Sequence, residues 1–233
     1  MIASRVAAVR ERIARAAARA GRSPEDVTLI AVSKTQPPEA VREGFAAGLR
    51  HFGENKVQEA EDKIAALSDL RAEGLRWHMI GHVQSNKGRR AAELFDAVDS
   101  VDDATLAKRL ERGAEAARKQ LPVLIQVDLG QEATKFGLDE AHLFPTLEHL
   151  RGYKAVHVEG LMVIPPLAED PEATRPYFRR LRELLEQARG QGLLRGRSLS
   201  MGMSHDFEVA IEEGATILRV GTAIFGVRPR PGG

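Results

Sequence analysis

The neighbours of Lys34 place its amine where it could do covalent chemistry. Lys34 follows an apolar run over residues 27–33 that predicts a strand, and Pro37 and Pro38 predict the start of a helix. In parallel α/β folds, ligands bind at the carboxyl ends of the strands. A lysine with apolar neighbours can lose part of its proton affinity and form a Schiff base with an aldehyde. The competing interpretation is a strand-end lysine that simply reaches water.

Two later segments, residues 200–206 and 219–223, could bind a phosphate monoester. Each follows a predicted strand and combines glycine, which lets the backbone approach a ligand, with a hydroxyl side chain, Ser204 or Thr222. An ordinary turn would use the same residue types. Phosphate sites in (β/α)8 barrels recur after the last two strands. If both segments lie opposite Lys34, together they indicate a phosphate site more specifically than either segment does alone.

These segments belong to a regular alternation of short apolar strands and longer amphipathic helices. After a predicted N-terminal helix at about residues 3–20, we count eight strand-then-helix repeats. The predicted strands are residues 28–33, 51–53, 76–81, 97–101, 123–129, 157–164, 198–202 and 217–222. The pattern predicts one (β/α)8 barrel domain over residues 1–233, with a doubly wound sheet as the competing fold and a frayed tail at about 228–233.

Composition narrows the class of protein. The 34 Lys and Arg residues nearly balance the 33 Asp and Glu residues, and a net charge of +1 argues against nucleic acid as a partner. The absence of cysteine excludes disulfides, thiolate metal sites and cysteine nucleophiles, and it suits the cytoplasm. No apolar stretch approaches the length of a membrane span. We therefore expect a soluble, monomeric cytoplasmic protein without a membrane partner.

Seven segments carry a resemblance to a known family. They are AVSKT at 31–35, FGENKVQE at 52–59, WHMIG at 77–81, QSNK at 84–87, GLM at 160–162, LSMGMS at 199–204 and RVGTAIFG at 219–226. Together they closely resemble the pyridoxal phosphate homeostasis protein family, which is related to the barrel domain of alanine racemase. The resemblance runs from about residue 29 to residue 226.

The resemblance implies pyridoxal 5′-phosphate (PLP) as the cofactor and assigns its contacts. These would be Lys34, Asn55, Met201, Ser204, Arg219, Gly221 and Thr222. By resemblance, Lys34 would form the internal aldimine, and Asn55 would lie beside the cofactor. Asn55 could also cap the helix that follows it. The phosphate would be held by Ser204, Gly221 and Thr222.

Arg219 would face the pyridine nitrogen, which bears on catalysis. A guanidinium is a permanent donor and would leave that nitrogen unprotonated, so the ring would stabilise a carbanion poorly. The alternative for Arg219 is a salt bridge in the barrel wall. Racemisation also needs a second acid/base, and Tyr153 and Tyr177 are predicted in or beside helices away from the strand ends. We expect a carrier that buffers PLP and delivers it to apo-enzymes, with a weak amino-acid racemase as the alternative.

The remaining candidate residues favour no other function. His78 and His82 are four residues apart with no carboxylate expected nearby, so a metal site is not predicted. His82 also stands where the family usually has proline. The basic residues of segment 87–90 are expected to form a solvated helix face. Lys135 could guide phosphate into the barrel mouth or be an ordinary exposed loop lysine.

Overall fold

Eight parallel strands close into a barrel in the computed structural model, which describes residues 1–130 and 136–226. Its strands are β1 Thr28–Val32, β2 His51–Glu54, β3 Arg76–Met79, β4 Ala97–Val101, β5 Leu121–Asp128, β6 Leu138–Asp139, β7 Val156–Met162, β8 Ser198–Ser200 and β9 Ile217–Val220. The ring closes because β1 pairs with β2 and β9, and β4 pairs with β3 and β5. The two-residue β6 pairs with β5 beside the ring. The predicted (β/α)8 barrel is confirmed, and the doubly wound sheet is excluded.

Helices follow every barrel strand, and one helix precedes the barrel. They are α1 Ile2–Arg19, α2 Pro38–Ala46, α3 Val57–Ala66, α4 Ser68–Ala72, α5 Gly88–Leu94, α6 Ala104–Ala116, α7 Leu143–Leu150, α8 Arg175–Gly190, α9 Phe207–Glu212 and α10 Thr222–Phe225. The sequence predicts the longest helix from Pro171, but residues Pro171–Thr174 form a separate 3-10 turn. Helix α8 therefore has 16 residues and is shorter than α1, which has 18. Within the described ranges, no helix is long and apolar enough to span a bilayer.

Alternation along the strands separates two buried layers. The outward face packs under the helices in one hydrophobic core that includes Phe52 and Trp77. The inward face is crowded at its centre: an added Cβ at Gly53 would lie 2.9 Å from side-chain atoms of both Ile30 and Ile80. Glycine at position 53 therefore leaves room for the side chains of Ile30 and Ile80 inside the barrel.

A network of ion pairs joins the outer helices near the end of α9. The carboxylate of Glu213 is nearly buried and lies within 3.3 Å of guanidinium nitrogens of Arg175, Arg179 and Arg182. These arginines hold the pKa of Glu213 below its usual value against the opposing effect of burial. This network lies on the outer layer of the barrel, where it joins α8 to the end of α9.

Candidate functional site

A cavity of about 410 Å³ opens at the carboxyl ends of the strands. Its volume is in the usual range for small-molecule sites. Six of the seven predicted contact residues line it: Lys34, Asn55, Ser204, Arg219, Gly221 and Thr222. The structure thus brings together residues from the ends of β1, β2 and β9 and from the loop after β8, which are far apart in sequence.

Met201 is the exception among the predicted contacts. It is completely buried, belongs to the hydrophobic core, and its backbone N–H donates to the Ile217 carbonyl at 3.1 Å. Met203 lines the cavity instead. Between them, Gly202 has φ +91°, a conformation that glycine adopts without strain, and the chain turns there out of β8. Of these two methionines, Met203 therefore lines the cavity and Met201 packs in the core behind it.

Lys34 lies in a tight turn at the end of β1. The N–H of Gln36 donates to the Ser33 carbonyl at 2.9 Å and closes the turn. Thr35, directly after the lysine, has φ +66°. A β-branched residue rarely adopts this left-handed conformation, which costs on the order of 1–3 kcal/mol. Lys34 is half-buried in the cavity wall, so strain is stored beside the one residue proposed to react covalently.

Asn55 offers the cavity a buried acceptor. Its side-chain amide oxygen, Oδ1, is shielded from solvent and has no hydrogen-bond partner among the described residues. The alternative role in helix capping is wrong, because α3 begins at Val57, its N-cap residue is Lys56, and no side chain caps it. Buried polar atoms are normally paired, so an unpaired amide oxygen in a cavity wall is one that a bound ligand can satisfy.

Ser204 joins the two segments predicted to bind phosphate. Its hydroxyl oxygen accepts a hydrogen bond from the Ala223 N–H at 3.2 Å, and the hydroxyl proton can be donated elsewhere. Thr222 is exposed at the start of α10 and contributes a second hydroxyl to the cavity. At Gly221 an added Cβ would meet Val32 at an ordinary 3.4 Å, so the surrounding protein does not require glycine there.

Arg219 crosses the floor of the cavity with uncharged partners. Its guanidinium donates to the Ser200 hydroxyl at 2.7 Å and to the Val163 carbonyl at 2.8 Å. The residue is 3% exposed, and burial lowers its pKa to about 10, an effect that Asp99 and Asp206 oppose. No carboxylate in the described ranges forms an ion pair with it, so the alternative of a barrel-wall salt bridge has no partner among these residues. The guanidinium remains protonated and remains a donor at neutral pH.

A buried ion pair behind Lys34 and Asn55 escaped the sequence analysis. The ammonium of Lys63 lies 2.7 Å from Glu54 Oε1 and donates to the Ser33 carbonyl at 2.9 Å. The Ser33 hydroxyl donates to the same Glu54 oxygen at 2.6 Å. A signal existed: Lys63 falls on the buried face of α3 with Val57 and Ala60, where lysine is unusual without a partner.

The histidines do have carboxylate neighbours, so that part of the prediction was wrong. His78 Nδ1 is 3.3 Å from both oxygens of Asp99, and His82 Nδ1 is 2.7 Å from an oxygen of Asp102. His51 Nδ1 is 2.9 Å from His78 Nε2, and burial is the main cause that lowers the pKa of His51 to about 4. Even so, the described part of the chain contains no group of three or more His, Cys, Asp or Glu side chains suited to a metal.

The other candidate residues lie away from the cavity. Tyr153 contacts His149 just before β7, at the opposite end of the barrel from the mouth, and Tyr177 is in α8. In the basic segment, Arg90 is exposed and pairs with Glu93 at 2.8 Å, consistent with a solvated helix face. The predicted roles for Lys135 and the frayed tail fall outside the described residues.

Comparison with known proteins places this chain among relatives named for pyridoxal phosphate homeostasis. The family model for the alanine racemase N-terminal domain matches residues 5–229. The pyridoxal phosphate homeostasis protein of Aquifex aeolicus is 45% identical over 224 residues, covering 96% of this chain and 97% of the relative. The Pseudomonas aeruginosa protein of the same name is 48% identical over 227 residues, with 97% and 96% coverage.

Solved structures agree with these sequence relatives. PipY of Synechococcus elongatus PCC7942, solved with PLP bound, has a TM-score of 0.86 and 43% identity, covering 97% of this chain and 100% of that chain. Alanine racemase from Corynebacterium glutamicum has a TM-score of 0.69 at 21% identity, covering 95% of this chain and 61% of that chain. The second likeness concerns the fold alone.

Proposed function

Because the chain belongs to the pyridoxal phosphate homeostasis protein family, within the wider alanine racemase N-terminal domain family, we propose that it binds PLP covalently through Lys34 and serves in vitamin B6 homeostasis. In this role it buffers free PLP in the cytoplasm and delivers it to apo-enzymes, with little or no catalysis. The observation that carries the proposal is the convergence of an amine, a buried amide acceptor and two hydroxyls on one cavity.

The cavity residues fit the chemical groups of PLP. The cofactor supplies an aldehyde that condenses with an amine to give an imine and water. Lys34 is the lysine on the described cavity lining and provides the amine. Ser204 and Thr222 can donate hydrogen bonds to a phosphate, and the unpaired Asn55 oxygen can accept one from the ligand.

Two features favour a carrier over an enzyme. Arg219 is buried, charged and bonded to neutral groups, so as a neighbour of a ring nitrogen it would donate and would not hold a proton there. Tyr153 and Tyr177 are absent from the described lining of the cavity, where a tyrosine could act as the second acid/base. Weak protonation of the ring and the absence of a tyrosine from the described cavity lining both reduce the rate of α-proton removal.

A weak amino-acid racemase is the second candidate, and one residue favours it. His205 lines the cavity, and its Nε2 donates to the Glu169 carbonyl at 2.9 Å in the tautomer that this geometry selects. An imidazole in that position could exchange a proton with an amino acid bound near Lys34. Replacing His205 with Gln would remove this proton route while keeping a hydrogen-bond donor.

The decisive experiment is an absorption spectrum of the purified protein, followed by borohydride reduction and peptide mapping. We expect a PLP imine band and a reduced adduct on Lys34. Lys34→Ala should remove the band without unfolding the barrel, because a side chain at the mouth contributes little to the core. Lys108→Ala, an exposed lysine on α6, serves as the matched control and should keep the band. A normal adduct yield in folded Lys34→Ala would contradict the proposal.

Delivery is tested separately by mixing the PLP-loaded protein with a PLP-dependent apo-enzyme and following recovery of that enzyme's activity. We expect recovery to proceed with loss of the imine band from the carrier. An equal amount of reduced protein, with the cofactor locked on Lys34, is the control and should restore no activity. Recovery from the reduced protein would mean that PLP reaches the enzyme by another route.

A further inference from the structure

The Ser33 carbonyl is the point at which a buried charge meets the turn that carries Lys34. It accepts the Gln36 N–H at 2.9 Å, which closes the turn, and it also accepts the Lys63 ammonium at 2.9 Å. A charged donor makes a stronger hydrogen bond than a neutral one. The side chain of Lys63, which is not part of the cavity lining, therefore restrains Ser33, the first residue of the turn.

This turn needs such support because of Thr35. At φ +66° a threonine is in a conformation that its branched side chain disfavours, and such residues persist only where the surrounding structure over-determines them. Without a restraint, the turn would relax and shift the adjoining Lys34. The bond from Lys63 to the Ser33 carbonyl is a restraint of this kind.

Glu54 fixes the position of the Lys63 ammonium and also binds Ser33. It is fully buried, accepts from Lys63 at 2.7 Å, and accepts from the Ser33 hydroxyl at 2.6 Å. Lys63 is only 8% exposed, so separating the two charges would leave each uncompensated in the interior. Glu54 ends β2 and directly precedes Asn55, so the same pair ties together the strand ends that present Lys34 and Asn55.

We propose that the Glu54–Lys63 ion pair positions Lys34 and Asn55 for binding an aldehyde ligand by clamping the strained turn at the end of β1. The inference rests on the proposed function in one respect, that Lys34 is the reacting amine. Its alternative is a purely structural ion pair that stabilises the contact of α3 with the barrel and has no influence on the reactivity of Lys34.

The test compares Lys63→Met, Glu54→Gln and the double variant with wild type. In ligand-free protein, amide hydrogen exchange at Gln36 reports on the turn; in PLP-treated protein, growth of the imine band reports on Lys34. We expect faster exchange at Gln36 and imine formation slower by roughly tenfold to a hundredfold, because small misplacements of a reacting group have effects of that size. The double variant removes both charges together, so that neither is left uncompensated in the interior.

Glu213→Gln is the matched control, since it also disturbs a nearly buried carboxylate but on the outer layer. It should lower the melting temperature and leave both readouts unchanged. Adding Thr35→Gly to Lys63→Met should restore protection at Gln36, because glycine adopts the turn conformation without a clamp. This rescue is not expected of a pair that only stabilises packing.

A folded double variant with wild-type exchange at Gln36 and a wild-type rate of imine formation would overturn the positioning role. So would faster exchange at Gln36 with an unchanged rate, because the clamp would then not affect Lys34. Failure of the proposed function looks different: the wild-type protein itself would form no adduct on Lys34, while exchange at Gln36 would still depend on Lys63.

Discussion

Ser204 accepts a hydrogen bond from the N–H of Ala223 at 3.2 Å, and this contact joins the loop after β8 to the start of α10. Because the oxygen is the acceptor in this bond, the hydroxyl proton is left to donate to another group, and Ser204 lines the cavity together with Thr222 and Gly221. A phosphate group held there would meet donors from the loop after β8 and from the start of α10 at once. The geometry of this corner therefore leads to two predictions about ligand binding.

Replacing Thr222 with Ala should weaken PLP binding by about 1–3 kcal/mol, because a charge-assisted hydrogen bond would be left unmade. Pyridoxal, which lacks the phosphate, should bind wild type far more weakly than PLP and should lose little further affinity in the variant. Equilibrium titrations of both compounds measure the difference. Equal affinities of wild type for PLP and pyridoxal would mean that the phosphate binds elsewhere.

Gly221→Ala should leave the barrel folded yet reduce PLP binding. The added Cβ would make only an ordinary 3.4 Å contact with Val32, and Gly221 has a negative φ of −113°, outside the left-handed region that favours glycine. Any loss of affinity would therefore come from the new methyl group in the cavity. Melting temperature and PLP titration check the two halves of this prediction. Gly53→Ala is the contrasting variant, since its Cβ would clash inside the barrel and should destabilise the fold.

Arg219 should suppress proton exchange on amino acids. Incubated with L-alanine in deuterated water, the PLP-loaded protein should exchange the α-proton far more slowly than the usual enzyme turnover of about 1–1,000 per second. Arg219→Glu should raise the rate, because a carboxylate can hold a proton on the ring nitrogen. Arg219→Met controls for the loss of the guanidinium and should give no increase. Mass spectrometry or NMR measures the exchange. Fast exchange by the wild-type protein would favour the racemase alternative.

His51 should contribute to acid sensitivity. Burial, followed by the neighbouring His78, lowers its pKa from 6.5 to about 4 in the folded protein. Between these values the unfolded chain binds the proton and the folded chain does not, so stability falls as pH drops from about 6.5 to about 4. His51→Gln should flatten the pH dependence of the free energy of unfolding in this window, measured by urea denaturation. An unchanged slope would show that other groups dominate acid unfolding.

Local sequence determined the barrel and most of its mouth. Strands were recognisable because short apolar runs end at turn residues, as the run before Lys34 ends ahead of Pro37 and Pro38. These signals depend only on neighbours in the chain. Once eight such strands are assigned to a parallel barrel, their carboxyl ends must share one mouth. Ser204 and Thr222 could therefore be assigned to the same cavity as Lys34 from the sequence alone.

Tertiary structure alone decided which side chains pair inside the barrel. His78 and Asp99 belong to adjacent strands and meet because of the register between β3 and β4, which periodicity does not encode. That Met203 lines the cavity while Met201 is buried in the core has a similar origin, since the turn at Gly202 redirects the chain after β8. A side chain's direction depends on backbone angles and neighbouring strands, so residue type and position were insufficient.

The environment of charged groups also required the fold. Sequence could place Arg219 at the end of β9, but its neutral partners come from Ser200 and Val163 on two other segments. Likewise, Lys63 meets Glu54 only when α3 packs behind β1 and β2. Local propensity sets where strands and helices begin and end, whereas burial and charge compensation arise from contacts between segments distant in the chain.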